Sequence, residues 1–232
     1  MLGRLLGFRR RRQGPSVIFF IFGGMGLFMA CGLTMCGVPA SFVNSREVAS
    51  LDQPTAEEMV NLASGTEAIF AAQISPDAPT DAQGLAFAYV EERPEDAFVE
   101  NEEGERESQS RNWERTVPPP QSVELVATNG RSVTVQLPQN ITFMEAQRFE
   151  EGEPANATRR TLGYLPGQTL AIHGTWQGGN LILADTLFGG SQEAYVDAVR
   201  AMPGRLLLFG LICGGISLLL LGVGIAMRFV GR

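Results

Sequence analysis

The chain has 232 residues and a formal net charge of −7. Its 18 basic residues are all arginine, which excludes lysine-based chemistry such as a Schiff base. All three cysteines lie within two uncharged apolar runs. The rest of the chain, which holds the single histidine, therefore lacks the residues for a disulfide or for a zinc site of the Cys and His type.

The two apolar runs predict two transmembrane helices. Residues 17–38 and 206–227 contain 22 residues each and no charge, and a helix of this length crosses a hydrocarbon core about 30 Å thick. Residues 1–16 carry five arginines and residues 228–232 carry two, whereas all 25 acidic residues lie between the runs. Because basic flanks stay in the cytoplasm, we expect both tails inside and residues 39–205 outside the plasma membrane of a bacterium.

The first run also resembles a secretory signal peptide. Val38 and Ala40 are small residues three and one positions before Ser41, which is the spacing of a cleavage site. The run is longer than an ordinary signal core, and Pro39 adjoins the cut, so an uncleaved helix is favoured. If cleavage occurs, the second run still anchors the product.

The part that follows the first run predicts a helix and then two strands. Residues 45–64 are helical in pattern, interrupted near a proline, and Thr55 with Glu58 matches a capping box. Residues 67–74 predict a strand. Residues 85–90 are apolar at both alternating positions, which predicts a central strand covered on both faces.

Residues 93–112 form an acidic segment with few apolar side chains. Such a composition buries too little surface to order itself, so we expect a mobile loop that joins two paired strands. Its glutamates are candidate contacts for a basic partner, namely Glu102, Glu103, Glu105 and Glu107. They lack the spacing and turn glycine of an EF-hand, so a solvated acidic surface is favoured over a cation site.

Residues 123–137 predict a β-hairpin around an Asn-Gly turn. A two-residue loop would place the apolar stripes of the two strands on opposite faces. A three-residue loop pairs Leu125 with Val133 and puts both stripes on one face. We therefore predict the three-residue loop, with Gly130 at positive φ.

The remaining segments complete a β-rich domain. Residues 140–160 are polar and predicted irregular, and residues 169–174 and 181–184 predict a strand pair. A separate helix over residues 192–202 should end at Pro203, before the second span. The fold class is therefore a membrane protein in which two transmembrane helices flank a β-rich (α+β) domain, either an antiparallel sheet or an OB-like barrel.

Several of these segments resemble the membrane-flanked domain of GIDE-type ubiquitin ligases. They are the sequence GLAFAYVEER at 84–93, Trp113, the hairpin, and LPGQTLAIHG at 165–174, in the family's order between two spans. The resemblance covers roughly residues 15–228 and implies a domain that binds partners beside a membrane. GIDE-type ligases carry a zinc-binding RING module after the second span. With four Cys and His residues in all, this sequence resembles a RING-less bacterial member, and we expect no ligase activity.

Two further sets of residues are candidate sites. His173 lies on a predicted strand, where it is either a general base or metal ligand or, as we favour, a hydrogen-bonded strand histidine. Gly26 with Ala30, and Gly210 with Gly214, are pairs of small residues four apart within the two spans. Such pairs let helices approach closely, either between the two spans or between two copies.

These features favour a non-enzymatic interaction or scaffold protein without cofactor or metal. No nucleophile motif such as G-x-S-x-G is present, and a region between the spans at −14 should repel nucleic acid. We expect a protein partner or a homo-oligomer, contacted through the acidic segment, residues 85–90 or Trp176. The alternatives are a lipid- or saccharide-binding module with Tyr164 and Trp176 exposed together, and an accessory subunit of a membrane enzyme or a hydrolase whose pocket gathers carboxylates.

Overall fold

The computed structural model describes most of the chain, namely residues 16–93, 98–100, 106–108, 113–152 and 157–230. Contacts divide the chain into two compact units. The helical unit comprises Met1–Ala49 and Ala198–Arg232, and the β unit comprises Ser50–Asp197.

A continuous helical segment begins the described chain. Helix α1, Ser16–Gly32, passes through a π-helical turn, Leu33–Gly37, into helix α2, Val38–Ser50. Pro39 lies in the first turn of α2. A proline has no N–H to donate, and its ring collides with the carbonyl four residues earlier, so the wider π turn just before it accommodates the misfit.

Helix α3, Gln192–Val230, is a single helix of 39 residues that contains Pro203. The separate helix predicted over residues 192–202 is therefore wrong. One proline removes one backbone hydrogen bond and bends a helix, but good helix formers on both sides continue it. At 1.5 Å per residue α3 is about 58 Å long, which exceeds the thickness of a hydrocarbon core.

Both helical segments are long and apolar enough to cross a membrane. The qualifying ranges are Ile21–Ser50 and Gln192–Met227, judged by length and composition. Large apolar side chains stand exposed along them, with Phe28 82% and Leu219 72% accessible. Of the two predicted spans, 206–227 lies entirely within a qualifying range and 17–38 lies mostly within the other.

The β unit has twelve strands in the described part of the chain. In order they are β1 (Thr66–Gln73), β2 (Ala86–Glu92), β3 (Phe98–Glu100), β4 (Arg106–Ser108), β5 (Glu114–Val117), β6 (Ser122–Ala127), β7 (Ser132–Gln136), β8 (Thr142–Met144), β9 (Gln147–Glu151), β10 (Arg159–Tyr164), β11 (Thr169–Gly178) and β12 (Leu181–Phe188). A short 3-10 helix, Glu58–Asn61, precedes β1.

The helix predicted over residues 45–64 is interrupted around Pro54, as expected. Helix α2 ends at Ser50, and the 3-10 helix begins after Pro54. The capping box is confirmed, because the backbone N–H of Thr55 donates to Glu58 Oε2 at 2.8 Å and the Glu58 N–H donates back to Thr55 Oγ1 at 3.4 Å.

Five strands close into a barrel, which confirms one of the two predicted architectures. They follow the order β11-β1-β6-β7-β12, and a pairing of β11 with β12 completes the ring. The other alternative, an antiparallel sheet, does not describe these strands, since β12 runs parallel to β7 and also to β8. A parallel pair needs a long crossover, which the chain between residues 137 and 180 supplies.

Apolar side chains from alternate positions of these strands fill the barrel. Phe70, Leu125, Ile172 and Ile182 are all fully buried. Tyr164 joins them, with its hydroxyl donating to the carbonyl oxygen of Leu187 at 2.8 Å. The interior is therefore packed by its own side chains.

The predicted hairpin register is confirmed. Val123 pairs with Val135 and Leu125 pairs with Val133 across β6 and β7. Gly130 has a φ of 80°, which glycine adopts without a steric penalty. The three-residue loop thus keeps both apolar stripes on the barrel side.

A second sheet lies within the β unit, in the order β5-β2-β10-β9. Residues 86–90 lie in the interior strand β2 of this sheet and Leu85 directly precedes it, but only Leu85, Ala86 and Tyr89 are buried. The prediction of cover on both faces is wrong. Phe87 has a φ of 56°, and this break in the alternation brings Ala86 and Tyr89 onto the buried side.

Two predicted irregular segments contain strands. The acidic segment does join two paired strands, β2 and β5, but it includes the short hairpin β3–β4. The polar residues 140–160 include β8, β9 and the start of β10. Opposite charges facing one another across the strands stabilise the β9–β10 pair in place of apolar alternation.

Candidate functional site

Small residues lie at the contact between the two apolar helices of the helical unit. A Cβ added at Gly26 would collide with the Ser217 side chain, and one at Gly214 would lie 3.6 Å from Ala30 Cβ. The structure therefore places both predicted small-residue pairs where the helices meet. Close backbone approach of this kind is what small residues allow in membrane helices.

Two hydroxyl groups lie beside these glycines. A Cβ at Gly210 would come 2.7 Å from Thr34 Cγ2. The Thr34 hydroxyl donates to the Ala30 carbonyl at 2.9 Å, and the Ser217 hydroxyl donates to the Cys213 carbonyl at 2.7 Å. Each hydroxyl is satisfied by its own helix, as is common for serine and threonine in apolar helices.

The second sheet carries a row of alternating charges across its four strands. Arg115, Glu91, Arg160 and Glu150 face one another in register. The Arg160 guanidinium contacts Glu91 Oε2 through Nε at 2.6 Å and through a terminal nitrogen at 2.5 Å. These side chains are only 19% and 13% exposed, so water screens the pair less than it screens a surface salt bridge.

Arginines also stack on the aromatic rings of this sheet. The guanidinium carbons of Arg93 and Arg160 lie 4.4 and 4.3 Å from the Trp113 ring centroid. Arg115 lies 4.1 Å from the Tyr89 ring centroid. Trp113 thus packs in a cation–π stack, which explains why an aromatic residue follows the acidic segment. Burial raises the pKa of Tyr89.

Strand β9 forms one edge of the second sheet. Among the described residues it pairs only with β10. Phe149 is 44% exposed, and on the opposite face Arg148 Nε lies 3.0 Å from Glu150 Oε1. Exposed backbone groups on such an edge can pair with another chain.

His173 lies in a hydrogen-bonded chain with two residues from other elements. Its Nε2 lies 2.9 Å from Glu67 Oε1 on β1, and the Tyr195 hydroxyl lies 3.4 Å from its Nδ1. The favoured interpretation as a hydrogen-bonded strand histidine is confirmed. Among the described residues no group of three metal-ligating side chains is present.

An open depression of about 460 Å³ lies at the start of the β unit, lined by Asp52, Gln53, Pro54, Glu58, Asn61 and Leu62. Two of these lining residues carry carboxylates. Hydrogen bonds from the backbone and side chain of Thr55 hold the pKa of Glu58 below its usual value. That carboxylate stays ionised as a helix cap, whereas a general acid would need a raised pKa.

Two aromatic residues proposed for contact lie in the hydrophobic core of the β unit. Trp176 is 3% exposed and packs 6.1 Å from the Phe70 ring, and Tyr164 is fully buried. Trp176 is therefore corrected from a candidate contact to a core residue. The reason is its strand phase, since it follows Leu170, Ile172 and Gly174 on the inward face of β11.

The glutamates of the acidic segment are only partly covered by the structure. Glu102, Glu103 and Glu105 lie outside the described residues. Glu107 lies in β4, where its backbone pairs with Val99. Their role as contacts for a partner stays a prediction.

No protein-family model, curated protein or solved structure matches the chain. The resemblance to the GIDE-type domain therefore stays a prediction. The features on which a function can be argued are two apolar helices in contact, a filled barrel, and a charged second sheet with the edge strand β9.

Proposed function

We propose that the chain is a non-enzymatic interaction or scaffold protein, anchored in a bacterial plasma membrane by two spans. Its β unit lies on the extracytoplasmic side and binds a protein partner or a second copy. The observation that carries the proposal is the pair of helices that meet through small residues while large apolar side chains face outward. Each outward Leu or Phe gains about 1.5–3 kcal/mol in apolar surroundings.

The distribution of arginine supports the proposed orientation. Five arginines precede the first apolar run, two follow the second, and every acidic residue lies between them. Basic flanks are retained on the cytoplasmic side during insertion, so both ends of the chain are assigned to the cytoplasm.

The packing of the barrel supports binding by surface contact. Its interior holds apolar side chains, and the two aromatics that would form a saccharide or lipid platform are buried with them. The second sheet, in contrast, carries exposed charges of both signs and the edge strand β9. Partner binding beside a membrane is also what the GIDE-type resemblance implies.

Photo-crosslinking in native membranes tests this function. A photoreactive residue replaces Glu107 in one full-length variant and Phe149 in another, and Arg131, exposed at the tip of the β6–β7 hairpin, serves as the reference position. We expect a covalent product with a second polypeptide from Glu107 or Phe149, identified by mass spectrometry. Absence of any such product, with the chain intact in the membrane fraction, would refute the interaction function.

A further inference from the structure

We propose that the partner is a second copy of this chain, joined through antiparallel pairing of the two β9 strands about Phe149. The inference rests on the proposed interaction function and names its partner. It places Phe149 of one copy opposite Phe149 of the other, so the contact is isologous with a two-fold axis at that residue.

The first support is an open edge. Within the described residues, the backbone of β9 is paired on the β10 side alone. Four of its five residues are exposed, and only Glu150 is partly covered. An edge strand of this kind presents unpaired N–H and C=O groups to another strand.

The second support is the order of charges along β9. Antiparallel pairing centred on Phe149 sets Arg148 of each copy opposite Glu150 of the other, so the interface contains two such pairs. A centre moved to Arg148 would set arginine opposite arginine, and one moved to Glu150 would set glutamate opposite glutamate. Opposite charges stabilise a cross-strand pair and like charges destabilise it, so only the centre at Phe149 is self-complementary.

The third support is the apolar residue at that centre. Phe149 points to the opposite face from Arg148 and Glu150, since successive strand residues alternate. Its 44% exposed ring would meet its counterpart across the axis, where paired strands bring Cβ atoms about 5 Å apart. The same contact that satisfies the charges on one face therefore removes an exposed aromatic from water on the other.

The other edge of the sheet does not offer the same surface. Strand β5 is followed directly by Pro118, Pro119 and Pro120, which have no N–H to donate. Arg115 on β5 already donates to the carbonyl oxygens of Gln139 and Ile141. Charges on an edge strand discourage pairing when like charges come to lie opposite each other, whereas those of β9 are of both signs in a complementary order.

Single-cysteine crosslinking in native membranes tests the register. Full-length chains with Cys31, Cys36 and Cys213 changed to alanine receive one new cysteine, and mild oxidation follows. Phe149→Cys should give a disulfide-linked dimer, and Arg131→Cys should not. Gln147→Cys alone should link poorly, because its own counterpart lies about 13 Å away across the axis. Chains with Gln147→Cys and with Glu151→Cys should link to each other when expressed together.

Charge exchange tests the self-complementarity. Arg148→Glu creates two like-charge pairs, and we expect the yield of the Phe149→Cys dimer to fall about tenfold. Adding Glu150→Gln removes both like-charge pairs without placing an arginine opposite Arg160, and should recover most of the yield, which a variant that merely fails to fold would not do.

The outcomes separate this inference from the proposed function. A Phe149 dimer with the predicted partners and charge rescue supports the inference. Capture of a foreign protein at Phe149 or Glu107 without self-crosslinking overturns the inference and keeps the interaction function. Equal dimer yield from Phe149→Cys and Arg131→Cys also overturns it, because random collision would then account for the product.

Discussion

Removal of one buried hydroxyl gives a quantitative test of the barrel core. Tyr164 is fully buried and stacks 5.1 Å from Phe143, and its hydroxyl lies 2.8 Å from the Leu187 oxygen and 3.1 Å from the Met144 oxygen. Tyr164→Phe keeps the ring and removes the donor. The Met144 oxygen retains a bond from the Gly189 N–H at 3.0 Å, so the Leu187 oxygen is the acceptor that the substitution affects most. We expect the free energy of unfolding to fall by about 1–2 kcal/mol.

Tryptophan fluorescence reports this loss selectively. The chain has two tryptophans, Trp113 and Trp176, and both lie in the β unit. Urea unfolding of the full chain in detergent therefore follows the β unit without a signal from the apolar helices. The comparison variant is Tyr195→Phe, whose hydroxyl lies a longer 3.4 Å from His173 and also bonds the Thr186 side chain. Both partners are partly exposed, so water can replace the lost bonds and this variant should lose less. A Tyr164→Phe variant as stable as the parent would refute the assignment of that hydroxyl to a structural bond.

Three other substitutions or titrations follow from the same structure. In a chain with Ala30→Cys and Gly214→Cys, Gly26→Leu should hinder disulfide formation between the two helices. Gly24→Leu should leave it unchanged, because a Cβ added at Gly24 meets nothing within 4 Å. Equal effects of the two leucines would contradict the helix contact. Gly130→Ala should destabilise the β unit by about 1–2 kcal/mol because its φ is 80°, and Gly130→Asn by less, as measured by urea unfolding. Burial raises the pKa of all three tyrosines, so the stability they contribute is complete below pH 10.0 and is lost as pH rises above it. Absorbance of tyrosinate should therefore increase together with unfolding, and reversible ionisation in the folded state near pH 10.0 would contradict this.

Local rules explain why the hairpin could be predicted. The period of two in residues 123–137 and the Asn-Gly turn together leave one register that keeps Leu125 and Val133 on the same face. Barrel closure is a longer-range property. It depends on β11 pairing with β1 on one side and with β12 on the other. These pairings are not visible in local patterns, so a barrel could be predicted only as one of two architectures.

Strands β9 and β10 of the second sheet were missed because their stabilising pairs are charged. Strand β9 has the sequence QRFEE and no apolar alternation, yet Arg160 and Arg159 on β10 face its two glutamates. The partner of His173 was missed for a different reason, since Glu67 lies 106 residues away in the chain. Cross-strand neighbours of this kind follow from the register of the folded sheet, which sequence spacing does not determine.

Proline positions explain the errors at the ends of the helices. Pro203 predicted a break, but α3 continues through it, and Pro39 is accommodated after a π-helical turn. A proline removes one donor at a cost that neighbouring turns can offset when the residues on both sides favour a helix. The small-residue pairs of the two spans, in contrast, could be predicted, because an i to i+4 spacing puts both members on one helix face.

Labelling of single cysteines in intact cells tests the proposed membrane anchoring and orientation most directly. The test uses Arg131→Cys in the β unit and Arg232→Cys at the end of the chain, each without the native cysteines, and a maleimide that does not cross membranes. We expect Arg131→Cys to react in cells with an intact plasma membrane, Arg232→Cys to react only after permeabilisation, and both chains to stay in the pellet after alkaline extraction. Protection of Arg131→Cys in intact cells, or release of the chain by alkali, would contradict the two-span membrane protein with an external β unit.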